Sequence, residues 1–221
     1  HQALLKAKAA HRFGSSVYVY SPAEYAGMRT FMLADGAAGF ALKPDGDLVS
    51  VFSNGRVPDA AYHLLDLAIA QGARKLDAFD TRLPFLYGDK GFKAVARLSW
   101  DESQAPAGWK PETYKQYNAG KPDVVFMVHD PAQGKPYRPG DGRLVKTFEE
   151  ATRLQDAALG PQAHVPGGTQ GTGQAAISSP LPVEEGEFVQ AKPGQEILVF
   201  RVGTSPTLAN RNAGNAQGVA D

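Results

Sequence analysis

The segment 75–98 constrains this chain more than any other, because several short conformations follow one another there without a spacer. Residues 75–79, KLDAF, read as a strand that the polar Asp80 closes. An aromatic hydroxyl, Tyr87, stands seven residues after Asp80 in a short helical run. Four residues later the pair Gly91-Phe92 turns the chain into a second strand, residues 93–98. A glycine there can take the left-handed backbone that ends a helix, and the following phenylalanine can dock into a core. Tyr-x-x-x-Gly-Phe is therefore a plain helix ending when it stands alone, and its surroundings decide whether it is more.

Upstream, residues 47–53, DLVSVFS, alternate as a strand and lead into Asn54-Gly55-Arg56. From about residue 58 to 71, Leu64, Leu65, Ala68 and Ile69 recur on one helical face, and Gly72 reads as a C-cap. Residues 17–20, VYVY, form a short β-type run. After them Ser21, Pro22 and Glu24 carry the signature of a capping box with proline at the first helical position. The predicted helix runs to about residue 33, with Tyr25, Met28, Met32 and Leu33 at helical spacing. Residues 39–43 pair with 47–53 through the hairpin turn at Asp45-Gly46. Residues 122–129, PDVVFMVH, are the strongest strand in the chain. Strands alternating with helices in this way predict an α/β fold.

The order of elements, and the spacing at residues 80–92, resemble the C-terminal half of the GCN5-related N-acetyltransferase (GNAT) fold. The family's usual pattern there is N-x-x-A-x-x-L-Y-x-x-x-G-F. Asp80 takes the Asn position, Leu83 the small-residue position, and Leu86, Tyr87, Gly91 and Phe92 match it directly. The resemblance covers residues 15–130, with a reduced N-terminal part. It implies a GNAT-like central mixed sheet flanked by helices, and transfer of an acetyl group from acetyl-coenzyme A to an amine by direct attack in a ternary complex. By the same resemblance Tyr87 would be the general acid that protonates the departing thiolate. Asp80 would hydrogen-bond the pantetheine arm. The main chain of Val51, Phe52 and Ser53 would pair with the pantetheine amides as an added strand does.

The family places a pyrophosphate loop, Q/R-x-x-G-x-G/A, between such a strand and helix, where backbone N–H groups receive the anion. Aligned on Leu64-Leu65, Arg56 takes the Q/R position and Ala61 the last one. Arg56 and the N–H groups near Ala60 and Ala61 would then hold the pyrophosphate. Asp59 departs from the pattern at the first glycine. Its charge repels an anion and its Cβ blocks close backbone approach, whereas behind Pro58 it is an ordinary first-turn residue.

Composition narrows the class. The 221 residues have 43% hydrophobic content, enough for a sizeable core. Lys and Arg number 23 against 23 Asp and Glu, so charge gives no case for a nucleic-acid or membrane partner. The chain has no cysteine, which excludes disulfides, thiolate metal sites and a Cys nucleophile. No apolar run approaches the length of a membrane span. Residues 1–14 read as a lead-in, helix-prone and basic at its start, without the apolar centre of a signal peptide. A cytoplasmic protein is the expectation. The five His residues show no metal-ligand spacing, so no metal is expected.

Other features admit two readings each. Trp100 and Trp109 bracket a loop containing Asp101 and Glu102. This loop either faces the acceptor, with Asp101 or Glu102 binding or deprotonating an amine, or is a surface loop whose indoles pack on the sheet. His63 reads as a partly exposed helix residue. His129, beside Asp130, reads as a base or as a structural strand end. Residues 167–173, GGTQGTG, look like a linker and lack the ending of a phosphate loop.

The chain divides into the lead-in 1–14, the GNAT-like domain 15–130, a connection and linker 131–187, and a C-terminal strand and tail 188–221. The strand near residues 196–202 faintly resembles the opening strand of ADP-ribosyltransferase domains. Otherwise it docks on the first domain or extends its sheet edge. The Gly- and Pro-rich character resembles small phage-encoded acetyltransferases that act on host proteins, so the acceptor amine is on a small molecule or on a protein. The alternative is a catalytically degenerate GNAT-fold protein that binds and modulates a host partner through the Trp loop and the C-terminal strand.

Overall fold

The computed structural model describes residues 1–33, 35–54, 60–132, 136–160 and 197–200. In chain order these form α1 (Gln2–Ala10), α2 (Pro22–Ala26), β1 (Arg29–Leu33), β2 (Ala38–Leu42), β3 (Leu48–Ser53), α3 (Ala60–Ala70), β4 (Lys75–Phe79), α4 (Leu83–Asp89), β5 (Phe92–Leu98), β6 (Val124–His129), β7 (Arg143–Val145), α5 (Phe148–Leu159) and β8 (Ile197–Phe200). The fold is mixed α/β with two four-stranded sheets, ordered β3-β2-β1-β8 and β4-β6-β5-β7.

The hairpin at Asp45-Gly46 sets up the first sheet. Gly46 takes φ 82°, its N–H donates to the Lys43 carbonyl, and β2 returns antiparallel as β3. β1 pairs antiparallel with β2 so that Phe31 lies opposite Phe40, their rings stacked at 4.6 Å. In the second sheet β6 runs antiparallel between β4 and β5, and its residues Val125 to Val128 are fully enclosed. That burial on both faces explains its unbroken apolar sequence.

One core lies on a common face of both sheets. Leu42 and Leu48 from the first sheet and Leu76, Val125 and Met127 from the second meet Leu64, Leu65 and Ala68 of α3 and Tyr87 of α4. The opposite face of the first sheet is covered by α1 and α2 through Leu4 and Tyr25 against Ala41. The opposite face of the second sheet is covered by α5 through Ala151 against Ala96 and Phe126.

Several elements differ from the sequence expectation. Residues 17–20 are irregular and form no strand. Side chains satisfy their main chain instead. The Lys8 ammonium donates to the Val17 carbonyl (2.6 Å), Ser50 Oγ donates to the Tyr18 carbonyl (3.3 Å), and the Tyr20 N–H donates to Tyr25 Oη (3.3 Å). With those groups paired, no ladder is required. The capping box at Ser21 and Glu24 is present, but its helix ends at Ala26, and Arg29–Leu33 is a strand. Tyr25, Met28 and Met32 fit a helical period, yet Phe31 and Leu33 also alternate, and pairing with β2 decides between them. Residues 2–10 form a docked helix with Leu4 and Ala7 buried. β7 and α5 were not expected; both pack on the second sheet. β8 extends the first sheet, parallel to β1. Among the described residues no helix is long and apolar enough to cross a membrane.

Candidate active cleft

β3 and β4 are edge strands of separate sheets, and they approach each other at their starts alone. The Arg74 N–H donates to the Gly46 carbonyl (2.8 Å), and Asp47 bridges Lys75 in parallel fashion. Lys75 is buried there between Asp45 and Asp156, its Nζ 2.9 Å from a carboxylate oxygen of each. Beyond that tied end the two strands belong to separate sheets; one cavity lies between them, and a second adjoins it beside β3, walled by α1, α4 and the segment after β4.

The smaller cavity, about 150 Å³, is lined by Tyr18, Tyr20, Ser50, Asp77, Phe79 and Tyr87, among others. The larger, about 290 Å³, runs along Val51, Phe52 and Ser53 to Leu86 and Tyr117, with Leu4 and His11 of the N-terminal segment over it. Ser16, Val17, Val51, Leu83 and Tyr87 line both, so the cavities meet at the tyrosine.

Local sequence puts Tyr87 there. Pro84 sits in the first turn of α4, where a missing N–H leaves no gap, and the Leu83 N–H finds Thr81 Oγ1 at 3.4 Å. Gly91, at φ 86°, turns the chain straight into β5; a Cβ there would stand 3.3 Å from His129 Nε2 and from Pro131 Cα. Phe92 then enters the core and packs edge-on against the Tyr87 ring. The tyrosine is 5% exposed, and burial raises its hydroxyl above the ordinary phenol range, helped by the negative charge of Asp77. Among the described residues its oxygen has no hydrogen-bond partner.

The opposite wall is a bulge in β3. Gly39 pairs with Phe52 and Ala41 with Val49, so β3 holds one residue more than β2 across that step. Ser50 takes a left-handed backbone, φ 54°, and is held by its Oγ at 2.7 Å from Tyr25 Oη. A bulge breaks the ladder locally and re-aims the main chain. Here it does so where β3 borders both cavities.

Asp77 is the residue that the sequence reading missed. It lies mid-strand in β4, opposite Phe126 of β6, with a solvent-exposed side chain that borders the smaller cavity. The protein packed around it, with Asp47 nearby and Lys43 opposing it, pushes its carboxyl up to about 6. A carboxylate at a mid-strand position between Leu76 and Ala78 was visible in the sequence. The cleft beside it was not.

The other expected site residues lie as follows. Val51 borders both cavities, and Phe52 and Ser53 the larger one. Ala60 and Ala61 begin α3. Arg56 and Asp59 lie outside the described residues, as do the glycine-rich stretch 167–173 and the tail after residue 200. Asp80 accepts a hydrogen bond from Tyr137 Oη at 2.8 Å and borders neither cavity. Asp101 caps the turn Glu102–Gln104, accepting from the Ser103 N–H and Oγ at 2.8 Å each. Glu102 pairs with Lys121, and both Asp101 and Glu102 are exposed away from the cavities. Trp109 stacks on Tyr114 at 3.8 Å and donates from Nε1 to the Gly120 carbonyl; Phe79 packs against both indoles. His63 is exposed on α3. His129 packs on Phe92, and burial lowers its pKa.

No protein-family model, no curated protein and no solved structure matches the chain.

Proposed function

We propose that the chain is a GNAT-like acetyltransferase that moves an acetyl group from acetyl-coenzyme A to an amine. One observation carries this reading: two cavities of unequal size share Tyr87 in their linings, the smaller between the edge strands β3 and β4 and the larger along β3 toward α4. A two-substrate transfer requires such a junction, with a proton donor beside the reacting atoms. The larger cavity suits the pantetheine arm, since its lining includes Leu4, Val51, Phe52, Leu83 and Leu86. The edge of β3 can pair with the arm's amides as with an added strand. The thioester would lie at the junction, where Tyr87 Oη can protonate the leaving sulfur. Arg56 and the first N–H groups of α3, near Ala60 and Ala61, would take the pyrophosphate.

A melting experiment tests the reading. Acetyl-coenzyme A that binds the folded chain alone must raise its melting temperature in proportion to the logarithm of concentration. Leu83→Trp, which fills the junction, should abolish that rise. An equal rise in the variant and its parent would put the coenzyme elsewhere.

A further inference from the structure

The smaller cavity has features that the transfer reading does not require, and they describe its occupant. Its volume, about 150 Å³, is room for roughly five non-hydrogen atoms, at about 30 Å³ for each water-sized volume. Its rim is aromatic. Tyr18 is 69% exposed and packs edge-on against Tyr20 at 4.7 Å, and Tyr20 packs on Tyr25 at 5.7 Å. Among its lining residues the only formal charge is the Asp77 carboxylate. Among the described residues Asp77 has no hydrogen-bonding or ion-pairing partner, whereas Asp45, Asp47, Asp123, Asp130 and Asp156 all pair with Lys or Arg. Aromatic faces and a lone carboxylate around a small open recess favour a cation.

We infer that this recess takes an unhindered primary ammonium carried on a slim alkyl chain, and that Asp77 is the group that binds it and takes its proton. The inference rests on the acetyltransferase reading and names that enzyme's acceptor class and base. The step balances as follows. The ammonium gives one proton to an Asp77 oxygen, and the freed amine bonds to the thioester carbonyl carbon. The C–S bond breaks and sulfur takes the Tyr87 proton. The second amine proton passes to the Tyr87 oxygen and restores the phenol, while Asp77 releases its proton to solvent through the cleft. Tyr87 comes from α4 and Asp77 from β4, and both line the smaller cavity.

The groups facing Asp77 are few. Asp47 stands before β3 and Lys43 after β2, Tyr20 belongs to the N-terminal segment, and Tyr87 to α4. β6 presents the apolar Phe126, and the Asp156 of α5 is engaged with Lys75. Burial raises the Asp47 carboxyl as well, although Lys43 pairs with it, so the acid limb is assigned to Asp77 by its loss in Asp77→Asn.

The test uses the full chain, acetyl-coenzyme A and two probe amines, cadaverine and 1-adamantylamine, with release of the coenzyme thiol as the signal. Cadaverine should be acetylated at least roughly tenfold more efficiently than 1-adamantylamine, whose ten-carbon cage exceeds the volume of the recess. The cadaverine rate should fall below about pH 6. Asp77→Asn should lower kcat/KM for cadaverine roughly 100-fold, the usual worth of a positioned base. It should remove the acid limb and leave acetyl-coenzyme A affinity within about threefold. Bound acetyl-coenzyme A with no cadaverine turnover, or turnover that survives Asp77→Asn with its acid limb intact, would overturn the inference and leave the transferase reading standing. Failure of the parent chain to bind acetyl-coenzyme A would overturn both.

Discussion

Tyr87 is held by apolar contacts around its ring and left open at its oxygen. The ring is fixed by Phe92 and the shared core, and the oxygen ends where the two cavities join. Burial and the charge of Asp77 keep that hydroxyl protonated through the whole working range, as its proposed role of proton donor requires. Tyr87→Phe keeps the packing and removes the donor. It should lower kcat roughly 100-fold while acetyl-coenzyme A affinity changes little, which steady-state and binding measurements together would check. Asp77 has the opposite problem, since its ionised form is poorly accommodated. Its folded carboxyl is raised to about 6, above the ordinary value near 4, so stability falls as pH rises between those values and the loss is complete above 6. Asp77→Asn should therefore melt higher than the parent at pH 8. Allowing for solvent in the cleft, the gain is on the order of 1 kcal/mol, or about 2–4 °C. Near pH 3 the difference should vanish. A variant less stable than the parent at pH 8 would mean that a partner holds the carboxylate.

Elements show where local chemistry suffices and where it does not. The strands β4, β5 and β6 lie within two residues of their sequence limits, because turn residues bound each run and its core face is apolar. The junction at Gly91-Phe92 was legible for the same reason. The helix α5 was not expected, although Thr147 and Glu150 form a capping pair, with the Glu150 N–H on Thr147 Oγ1 at 3.1 Å and the Lys146 N–H on Glu150 Oε2 at 3.3 Å. Thr147→Ala should destabilise the chain by about 1 kcal/mol in a denaturant melt. By contrast, nothing local marks residues 17–20 as irregular, since the side chains that pair their main chain come from Lys8, Tyr25 and Ser50. The bulge in β3 is equally silent in sequence, although its partner strand is constrained. A Cβ on Gly39 would lie 2.5 Å from the Phe31 carbonyl oxygen and 2.9 Å from the Phe52 ring. Gly39→Ala should cost roughly 2 kcal/mol or more and loosen the cleft wall, seen as a lower melting temperature together with weaker coenzyme binding.

At the scale of the whole molecule, one core shared by two sheets fixes the cleft. Leu42 and Leu48 from one sheet and Leu76 and Val125 from the other pack on the same α3 and α4. The strands bordering the gap are tied at Asp47 and Lys75 and free to separate beyond them. Tyr87 and the edge at Val51 to Ser53, singled out in the sequence, border the cavities, whereas Asp77, which also does, was not singled out. Alternation assigns a mid-strand carboxylate to a face, and only the divergence of two separate sheets makes that face a recess. Asp101 and Glu102 were singled out because they flank a tryptophan, and the structure uses them to cap a turn and to pair with Lys121. The central claim, that the cleft is an acetyl-coenzyme A site, is tested most directly by calorimetric titration of the full chain with acetyl-coenzyme A, with NAD titrated in parallel. The account predicts one site of micromolar or tighter affinity for acetyl-coenzyme A, weakened by Arg56→Glu, and none for NAD. No heat of binding at millimolar acetyl-coenzyme A would contradict it.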